Sequence, residues 1–324
     1  MSYLIGIDGG GTRTTIALTD ARGRERVRRV GPPGIVHPRD PLATAEMLVA
    51  LVREVEAESG CERPAAALCA GLAGVEHAAE REAVHEALAK AGVAERTTVV
   101  SDGEIALEGA LGGEAGILVI AGTGSVAYGR GADGRIERCG GWGMVVGDEG
   151  SAYAIGRTAL VGALRGVDGR GEASSLLPAV VERLGLTAPD EIPPWAGRAE
   201  KADIAALASV VVALAADGDR VARRIMEQAA RDLAAHVRAL AERLAPWDAA
   251  PNLVPFGGMF RASGFAELLR AEVERVVPEG CRLRRPREDA VGGALAIARR
   301  LAERGADRTS PDHAATPPGR GAGA

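Results

Sequence analysis

Several features are scarce in this sequence of 324 residues, and each scarcity narrows the class of protein. The four cysteines form no C-x-x-C pair and no cluster with histidine, which argues against a disulfide framework or a structural zinc site. No apolar run is long enough to span a membrane, and no basic, apolar leader precedes the first predicted strand. A G-x-x-x-x-G-K-[ST] run is also absent, so this is not a P-loop protein. We therefore expect a cytoplasmic protein without a membrane partner.

Aromatic residues make up 3% of the chain, and the formal net charge is −5. A negative charge balance argues against a nucleic-acid partner. Apolar residues account for 47% of the chain, so it can bury a sizeable core, and its length allows two domains. These bounds indicate a globular protein, and an enzyme is the default expectation.

The most informative segment is a glycine-rich run between two predicted strands, residues 3–7 and residues 14–18. Because glycine has no Cβ, its backbone N–H can approach an anion, and a threonine hydroxyl adds a donor. Asp8 ends the first strand, where its carboxylate suits a hydrated magnesium ion. The same run is also compatible with an ordinary hairpin turn. The candidate phosphate ligands are Gly10, Gly11 and Thr12.

The pattern of strand, glycine loop, strand, turn and strand occurs twice, over residues 3–30 and again over residues 117–139. Helices and strands follow each copy, which predicts two related α/β domains with a cleft between them. The expected divisions are residues 1–113, residues 114–304 and a disordered tail over residues 305–324. The second glycine loop contains Gly122, Thr123 and Gly124.

Asp102 lies between a predicted strand at residues 97–100 and a predicted helix at residues 104–111. A carboxylate at the end of a strand can accept the proton of a substrate hydroxyl. The same residue type at this place can instead act as the N-cap of the helix. Its place in the chain between the two glycine loops favours the catalytic base.

A further glycine-rich segment, residues 140–151, combines an indole ring with two carboxylates. Its glycines bring backbone close to a ligand, and its carboxylates can accept hydrogen bonds from sugar hydroxyls. This combination favours a sugar contact over an N-capped loop. Gly257 and Gly258 follow a predicted strand at residues 252–256, where they would let an adenine ring lie against the backbone. Alone, that pair is also compatible with a common strand–helix turn.

In this order, the motifs resemble those of the N-acetylglucosamine kinases and BadF/BadG/BcrA/BcrD-type ATPases, a family of the actin, hexokinase and Hsp70 superfamily. The resemblance spans nearly all of residues 1–303 and is most specific over residues 139–153. It implies an α/β fold of two ribonuclease-H-like, actin-like ATPase domains. It also implies ATP and Mg²⁺ as cofactors and a small-molecule sugar as substrate, and it leaves a homodimer open.

The resemblance assigns roles to individual residues. Asp102 would be the catalytic base, and Asp8 would hold Mg²⁺ through water. The residues implied in ATP binding are Gly10, Gly11, Thr12, Gly122, Thr123, Gly124, Gly257 and Gly258. Those implied in sugar binding are Asp102, Gly141, Trp142 and Asp148.

The resemblance is incomplete after the third strand, where kinases of this family place an asparagine that binds the sugar. Residues 31–37 contain no asparagine, so His37 or backbone groups replace it, or the substrate differs. We therefore expect relaxed recognition of the sugar 2-substituent. The expected function is ATP-dependent phosphorylation of a hydroxyl of N-acetylglucosamine, glucosamine or a related hexose. The alternatives are an ATPase that activates a partner reductase or dehydratase, and a non-catalytic sensor.

Overall fold

The computed structural model describes residues 3–61 and 64–309, and it divides into two units, each with one β-sheet. The first unit is Met1–Gly109 with Ala290–Ala324, and the second is Ala110–Asp289. The strands are β1 (Tyr3–Gly9), β2 (Thr14–Asp20), β3 (Glu25–Gly31), β4 (Ala67–Leu72), β5 (Thr97–Ser101), β6 (Gly116–Ala121), β7 (Ser125–Arg130), β8 (Ile136–Gly140), β9 (Asn252–Phe256) and β10 (Arg282–Leu283).

The helices begin and end close to the residues where the apolar periodicity places them. They are α1 (Pro41–Ser59), α2 (Ala78–Lys90), α3 (Asp102–Leu111), α4 (Ala152–Val167), α5 (Leu176–Leu184), α6 (Ile192–Ala196), α7 (Lys201–Ala206), α8 (Ala208–Ala216), α9 (Arg220–Arg243), α10 (Phe265–Val276) and α11 (Ala290–Thr309). Among the described residues, no helix combines the length and apolar character needed to cross a membrane.

The two sheets have the same strand order. The first is β3-β2-β1-β4-β5 and the second is β8-β7-β6-β9-β10. In each sheet three consecutive strands form an antiparallel meander, β1 to β3 in the first and β6 to β8 in the second. The fourth strand in the chain pairs in parallel with the first strand of that meander, and the fifth pairs in parallel with the fourth. This repeated order confirms the predicted α/β class and the duplication that the glycine loops suggested.

Strand β1 has a different packing partner on each face because its side chains alternate. Ile5 and Ile7 lie in one buried cluster with Leu48 of α1. Leu4 lies in another with Leu295 of α11. Helix α11 approaches so closely that a Cβ on Gly6 would lie 2.7 Å from Leu295 Cγ. The final helix therefore covers the first sheet.

This packing differs from the predicted division of the chain in one respect. The predicted second domain, residues 114–304, includes most of α11, whereas this helix belongs to the first unit. A helical period shows that α11 has an apolar face, but it carries no information about which sheet that face covers. The helix also continues through residues 305–309, where the disordered tail was expected to begin, and residues 310–324 lie outside the described residues.

In the second unit, the long amphipathic helix α9 lines one core. Leu233, Val237 and Leu240 are fully buried with Ile117 and Val119 of β6. The helical period of residues 202–216 predicts one helix, but the structure has two, α7 and α8, which meet at Leu207. The short elements β10 and α6 were not predicted, since two to five residues are too few to show a period.

Candidate active site

The carboxyl edge of the first sheet brings together the first glycine loop and both of the carboxylates predicted for this region. Strands β1, β4 and β5 are parallel, so their carboxyl ends meet at one edge. Asp8 of β1 pairs with Gly71 of β4, and Leu72 of β4 pairs with Ser101 of β5. Asp8 and Asp102 therefore lie at the same edge, two strands apart.

The first glycine loop is held at its base and open at its tip. The Gly10 N–H donates to Arg13 O at 3.0 Å, and Gly34 N–H donates to Gly10 O at 3.0 Å. Gly11 and Thr12 are exposed, and a Cβ on Gly11 would meet no atom within 4 Å. Because the Gly10 N–H is already engaged, a phosphate would take its hydrogen bonds from Gly11 and Thr12. Gly10, which has no Cβ, would let the phosphate approach the backbone closely.

The structure separates the two interpretations of Asp102. The Ser101 hydroxyl accepts from Glu104 N–H at 3.2 Å, and the Glu104 carboxylate accepts from Ser101 N–H at 3.2 Å. These reciprocal bonds are a capping box, so Ser101 is the residue that caps α3. Asp102 is the first residue of α3, after that cap, and its carboxylate accepts from the adjacent Gly103 N–H at 2.8 Å. The N-cap interpretation of Asp102 therefore does not hold, and its role as the base stays a prediction.

The segment that lacks the asparagine, residues 31–37, is fastened beside the first glycine loop. The Thr14 hydroxyl donates to Pro32 O at 2.6 Å, and Val36 N–H donates to Ala73 O at 2.8 Å. A Cβ on Gly34 would lie 2.8 Å from Gly9 Cα. The backbone thus follows the carboxyl edge of the first sheet without an amide side chain in the position where the resemblance predicts one.

In the second unit, the carboxyl edge of the second sheet joins two of the predicted ATP-binding segments. Strands β6 and β9 are parallel and pair at Ile120 and Phe256, so the loops that follow them are neighbours. Gly257 has φ +108°, and a Cβ there would lie 2.4 Å from Ala121 O, so this turn requires glycine. Gly257 therefore supports the geometry of the turn, which leaves Gly258 as its ligand-facing residue.

A cavity of about 740 Å³ opens beside these two loops. Gly122, Thr123 and Gly258 line it, and a Cβ on either glycine would meet no atom within 4 Å, so side chains there would occupy the space. Small residues of α7 and α8 form the opposite wall. They are Ala202, Ala205, Ala206, Ala208, Ser209, Val212 and Ala213. An apolar cavity beside glycine amides fits an adenosine with its phosphates directed toward the loop.

Sequence reasoning missed that helical wall. Its residues are mostly alanines, which carry no chemical signature, and only the fold places them opposite Gly258. Of the predicted adenosine motif, Gly258 lines one part of this cavity, and residues of α7 and α8 that the sequence marks only as helical line another.

Asp148 is buried and contacts the second glycine loop directly. Its Oδ1 accepts from Ser125 N–H at 3.1 Å, and its Oδ2 lies 2.6 Å from Lys201 Nζ. Its backbone has φ +61°, which is uncommon for a residue other than glycine. The next residue continues the attachment, because the Ser125 hydroxyl donates to Glu149 O at 2.6 Å. Asp148 therefore orders the loop at residues 122–125, in addition to the sugar contact predicted for it.

Trp142 stands 72% exposed on the loop that follows β8, and Arg138 supports it. The Arg138 guanidinium lies 5.3 Å from the centroid of the indole ring. It also donates to Gly140 O at 3.1 Å and to Gly141 O. Arg138 thus holds the turn and the ring together, a role the sequence did not indicate. An exposed indole face of this kind can stack on a sugar ring.

His236 of α9 packs beneath the same turn. A Cβ on Gly140 would lie 2.5 Å from His236 Nε2, and Glu149 Oε2 is 3.8 Å from that nitrogen. Burial lowers the pKa of His236 below its usual value, and the carboxylates of Glu149 and Asp232 oppose this shift. The imidazole is therefore a neutral support for the Gly140 turn near neutral pH.

The described residues contain no group of three or more His, Cys, Asp or Glu that could enclose a metal ion. Mg²⁺ in a nucleotide site needs no such group, since it keeps several waters and binds phosphate with one or two carboxylates. Asp8, at the end of β1 and beside the first glycine loop, fits that requirement.

The chain is similar to known proteins over most of its length. A model of the BadF/BadG/BcrA/BcrD ATPase family matches residues 5–298. An N-acetylmuramic acid/N-acetylglucosamine kinase from Clostridium acetobutylicum is 34% identical over 262 residues, which cover 80% of this chain and 86% of that protein. An N-acetyl-D-glucosamine kinase from Dictyostelium discoideum is 27% identical over 90% of this chain and 96% of its own length.

Among solved structures, a candidate N-acetylglucosamine kinase from Chromobacterium violaceum superposes with a TM-score of 0.73 at 30% identity. The match covers 92% of this chain and 99% of that one.

Proposed function

Because the chain belongs to the BadF/BadG/BcrA/BcrD ATPase family, we propose that it is an ATP-dependent kinase that phosphorylates a hydroxyl of an amino sugar. Its relatives from Clostridium acetobutylicum and Dictyostelium discoideum are kinases of such sugars, and each match covers most of both chains. The expectation drawn from the glycine loops and the sugar segment agrees with these relatives.

One observation carries the nucleotide half of the proposal. The cavity beside Gly122, Thr123 and Gly258 collects segments more than one hundred residues apart, both assigned to ATP by the sequence alone. Adenosine would occupy the apolar part against α8. The phosphates would contact the second glycine loop, and Gly11 and Thr12 would donate to them from the first. Mg²⁺, held by Asp8 through water, would neutralise phosphate charge.

The acceptor half assigns the base to Asp102. Its carboxylate would orient the sugar hydroxyl and accept its proton as the phosphoryl group is transferred. The Asp148 carboxylate would accept hydrogen bonds from sugar hydroxyls, Gly141 would offer its backbone to the sugar, and the Trp142 indole would cover an apolar face of the ring. Most of the rate would come from positioning and charge neutralisation.

The segment at residues 31–37 bears on which amino sugar is used. Its backbone is fastened to the first sheet by the bonds to Thr14 and Ala73, and it offers no amide side chain to an N-acetyl group. We therefore propose that N-acetylglucosamine, glucosamine and N-acetylmuramic acid all compete for the site. The Clostridium relative, which acts on two of these sugars, is consistent with that breadth.

The alternative, an ATPase that drives a partner reductase, has less support from the cysteines. Burial raises the pKa of the Cys69 thiol, and it raises that of Cys281 to about 11. Cys69 is fully buried in the core of the first unit, and no described cysteine belongs to a group of three or more residues that could hold a metal ion.

Measurement of ATP consumption with each sugar tests the proposal. The purified protein would be incubated with Mg·ATP and, separately, N-acetylglucosamine, glucosamine, N-acetylmuramic acid and glucose, with product identified by mass spectrometry. We expect sugar-dependent ADP release with an amino sugar, and much less with Asp102→Asn. ADP release that no sugar stimulates would contradict a sugar kinase. Turnover of N-acetylglucosamine with none of glucosamine would contradict the relaxed 2-substituent alone.

A further inference from the structure

Lys201 stands at the start of α7 with its ammonium beside the second glycine loop. Lys201 Nζ lies 2.6 Å from Asp148 Oδ2. A Cβ on Gly124 would lie 3.0 Å from the same Nζ and 2.7 Å from Asp148 Oδ1. The ammonium is therefore within contact distance of the loop predicted to hold the phosphates of ATP.

The pair is asymmetric in its exposure. The Asp148 side chain is 5% exposed, whereas the Lys201 side chain is 34% exposed. Asp148 is thus enclosed by the protein, and Lys201 reaches it from the solvent side. An ammonium carries three N–H donors, and one carboxylate oxygen uses one of them. The remaining donors are available to an anion that arrives at the loop.

The helix that begins with Lys201 also forms the wall of the nucleotide cavity. Ala202, the next residue, and Ala205 line the cavity opposite Gly258. The ammonium and the cavity are consequently neighbours in one local structure, joined by α7 and by the second glycine loop.

The choice of residue type is informative. Lys201 is one of only two lysines in a chain whose basic residues are otherwise arginine. An ammonium is a compact point charge with three donors on a flexible stem, so it can bond a carboxylate and a phosphate together.

We propose that Lys201 is a phosphate ligand of the nucleotide site. When ATP is bound, its ammonium donates to a phosphate oxygen presented by Thr123 and Gly124 and remains close to Asp148. The competing explanation is that Lys201 only neutralises the buried Asp148 carboxylate. This inference rests on the proposed function for the identity of the anion, and it does not depend on which sugar is used.

Nucleotide binding without sugar tests it, with adenosine as the ligand that lacks phosphate. The Kd values of Mg·AMPPNP and adenosine would be measured by calorimetry for the wild-type protein, Lys201→Met and Lys90→Met. Lys90 lies exposed on α2 and serves as the matched loss of charge. We expect Lys201→Met to raise the Kd of Mg·AMPPNP about 10-fold or more, because one hydrogen bond between charged groups is lost. The Kd of adenosine should stay unchanged. Lys90→Met should change neither.

The double variant Asp148→Asn with Lys201→Met separates the two explanations, because it leaves no unpaired buried charge. If Lys201 contacts phosphate, the double variant binds AMPPNP as weakly as Lys201→Met. If Lys201 only offsets Asp148, the double variant returns to wild-type affinity, and the proposal is wrong. An equal rise in the Kd values of adenosine and AMPPNP on Lys201→Met would also overturn the proposal. A wild-type protein that binds no AMPPNP at all would overturn the proposed kinase function as well.

Discussion

The two glycine loops occupy equivalent positions in sheets of the same strand order, yet the structure supports them differently. The first loop is fastened at its base by Gly34 and is open at Gly11 and Thr12. The second is enclosed by Asp148, Lys201 and the helical wall of α7 and α8. The two halves therefore share a strand order but differ in the side chains and helices that surround each glycine loop. The difference agrees with the proposed roles, in which the first half supplies the base and the second half holds the adenosine.

Asp102→Asn is the strongest test of that division. The change keeps the size of the side chain but removes the base, so turnover should fall about 10²–10⁴-fold. AMPPNP affinity should remain close to the wild-type value, since the nucleotide cavity lies in the other unit. Steady-state kinetics and calorimetry measure the two effects.

Glu104→Gln is the matched control for Asp102→Asn, because Glu104 belongs to the capping box of α3 and not to the proposed chemistry. We expect it to lower stability by about 1 kcal/mol or less with turnover retained. If Asp102→Asn kept near-wild-type turnover, the base would have to be sought elsewhere, with Asp148 as the next candidate.

Alanine at Gly11 and at Gly124 compares the two loops directly. A Cβ on Gly124 would lie 2.7 Å from Asp148 Oδ1, whereas one on Gly11 would meet nothing within 4 Å. Gly124→Ala should therefore lower the free energy of unfolding by about 1–3 kcal/mol, as overpacking does. Gly11→Ala should change it by less than about 1 kcal/mol. Urea denaturation followed by circular dichroism would decide, and equal losses would contradict the contrast drawn between the loops.

Trp142→Ala tests whether the exposed indole serves the sugar. Because 72% of the residue is exposed, its removal should affect stability little. The sugar KM should rise about 10-fold, which corresponds to about 1.4 kcal/mol, with the ATP KM unchanged. Arg138→Lys, which weakens the support of the ring without removing it, should have a smaller effect of the same kind. An increase confined to the ATP KM would remove Trp142 from the sugar site.

The smallest expected effect concerns His236, which supports the turn at Gly140. Burial lowers the pKa of His236 from its ordinary 6.5, so between the folded and unfolded pKa values the unfolded chain binds more protons. Its contribution to stability is consequently full above pH 6.5 and is lost as the pH falls through the lowered pKa. Unfolding free energies of wild type and His236→Gln would be compared from pH 7.5 to pH 5. We expect a shallower acid decline in the variant, and parallel curves would show that His236 does not contribute.

Much of the fold could be predicted because its signals are local. The alternation in β1 and β2, the helical period of α9 and the glycines between paired strands are all properties of short windows. The duplication was visible for the same reason, since each copy opens with a similar meander. The positions of α11 and of Lys201 could not be predicted, because their partners are separated from them by tens to hundreds of residues.

The candidate site divides in the same way. Gly122, Thr123 and Gly258 were identifiable because glycine at a strand end has a local meaning. The small residues of α8 that face them have none, and the capping box that releases Asp102 from an N-cap role became evident only from the hydrogen bonds of Ser101 and Glu104.

The sequence by itself determined the class of fold, the two glycine loops and the residue types at the ends of the strands. These depend on backbone freedom and on apolar periodicity, which act between near neighbours in the chain. Only the tertiary structure decided that α11 covers the first sheet, that α7 and α8 line the cavity proposed for the nucleotide, and that Lys201 meets Asp148 beside Gly124. Those outcomes depend on which surfaces pack against each other in the folded chain. The free energy of that packing depends on the shape and charge of both partners, so neither segment determines it alone.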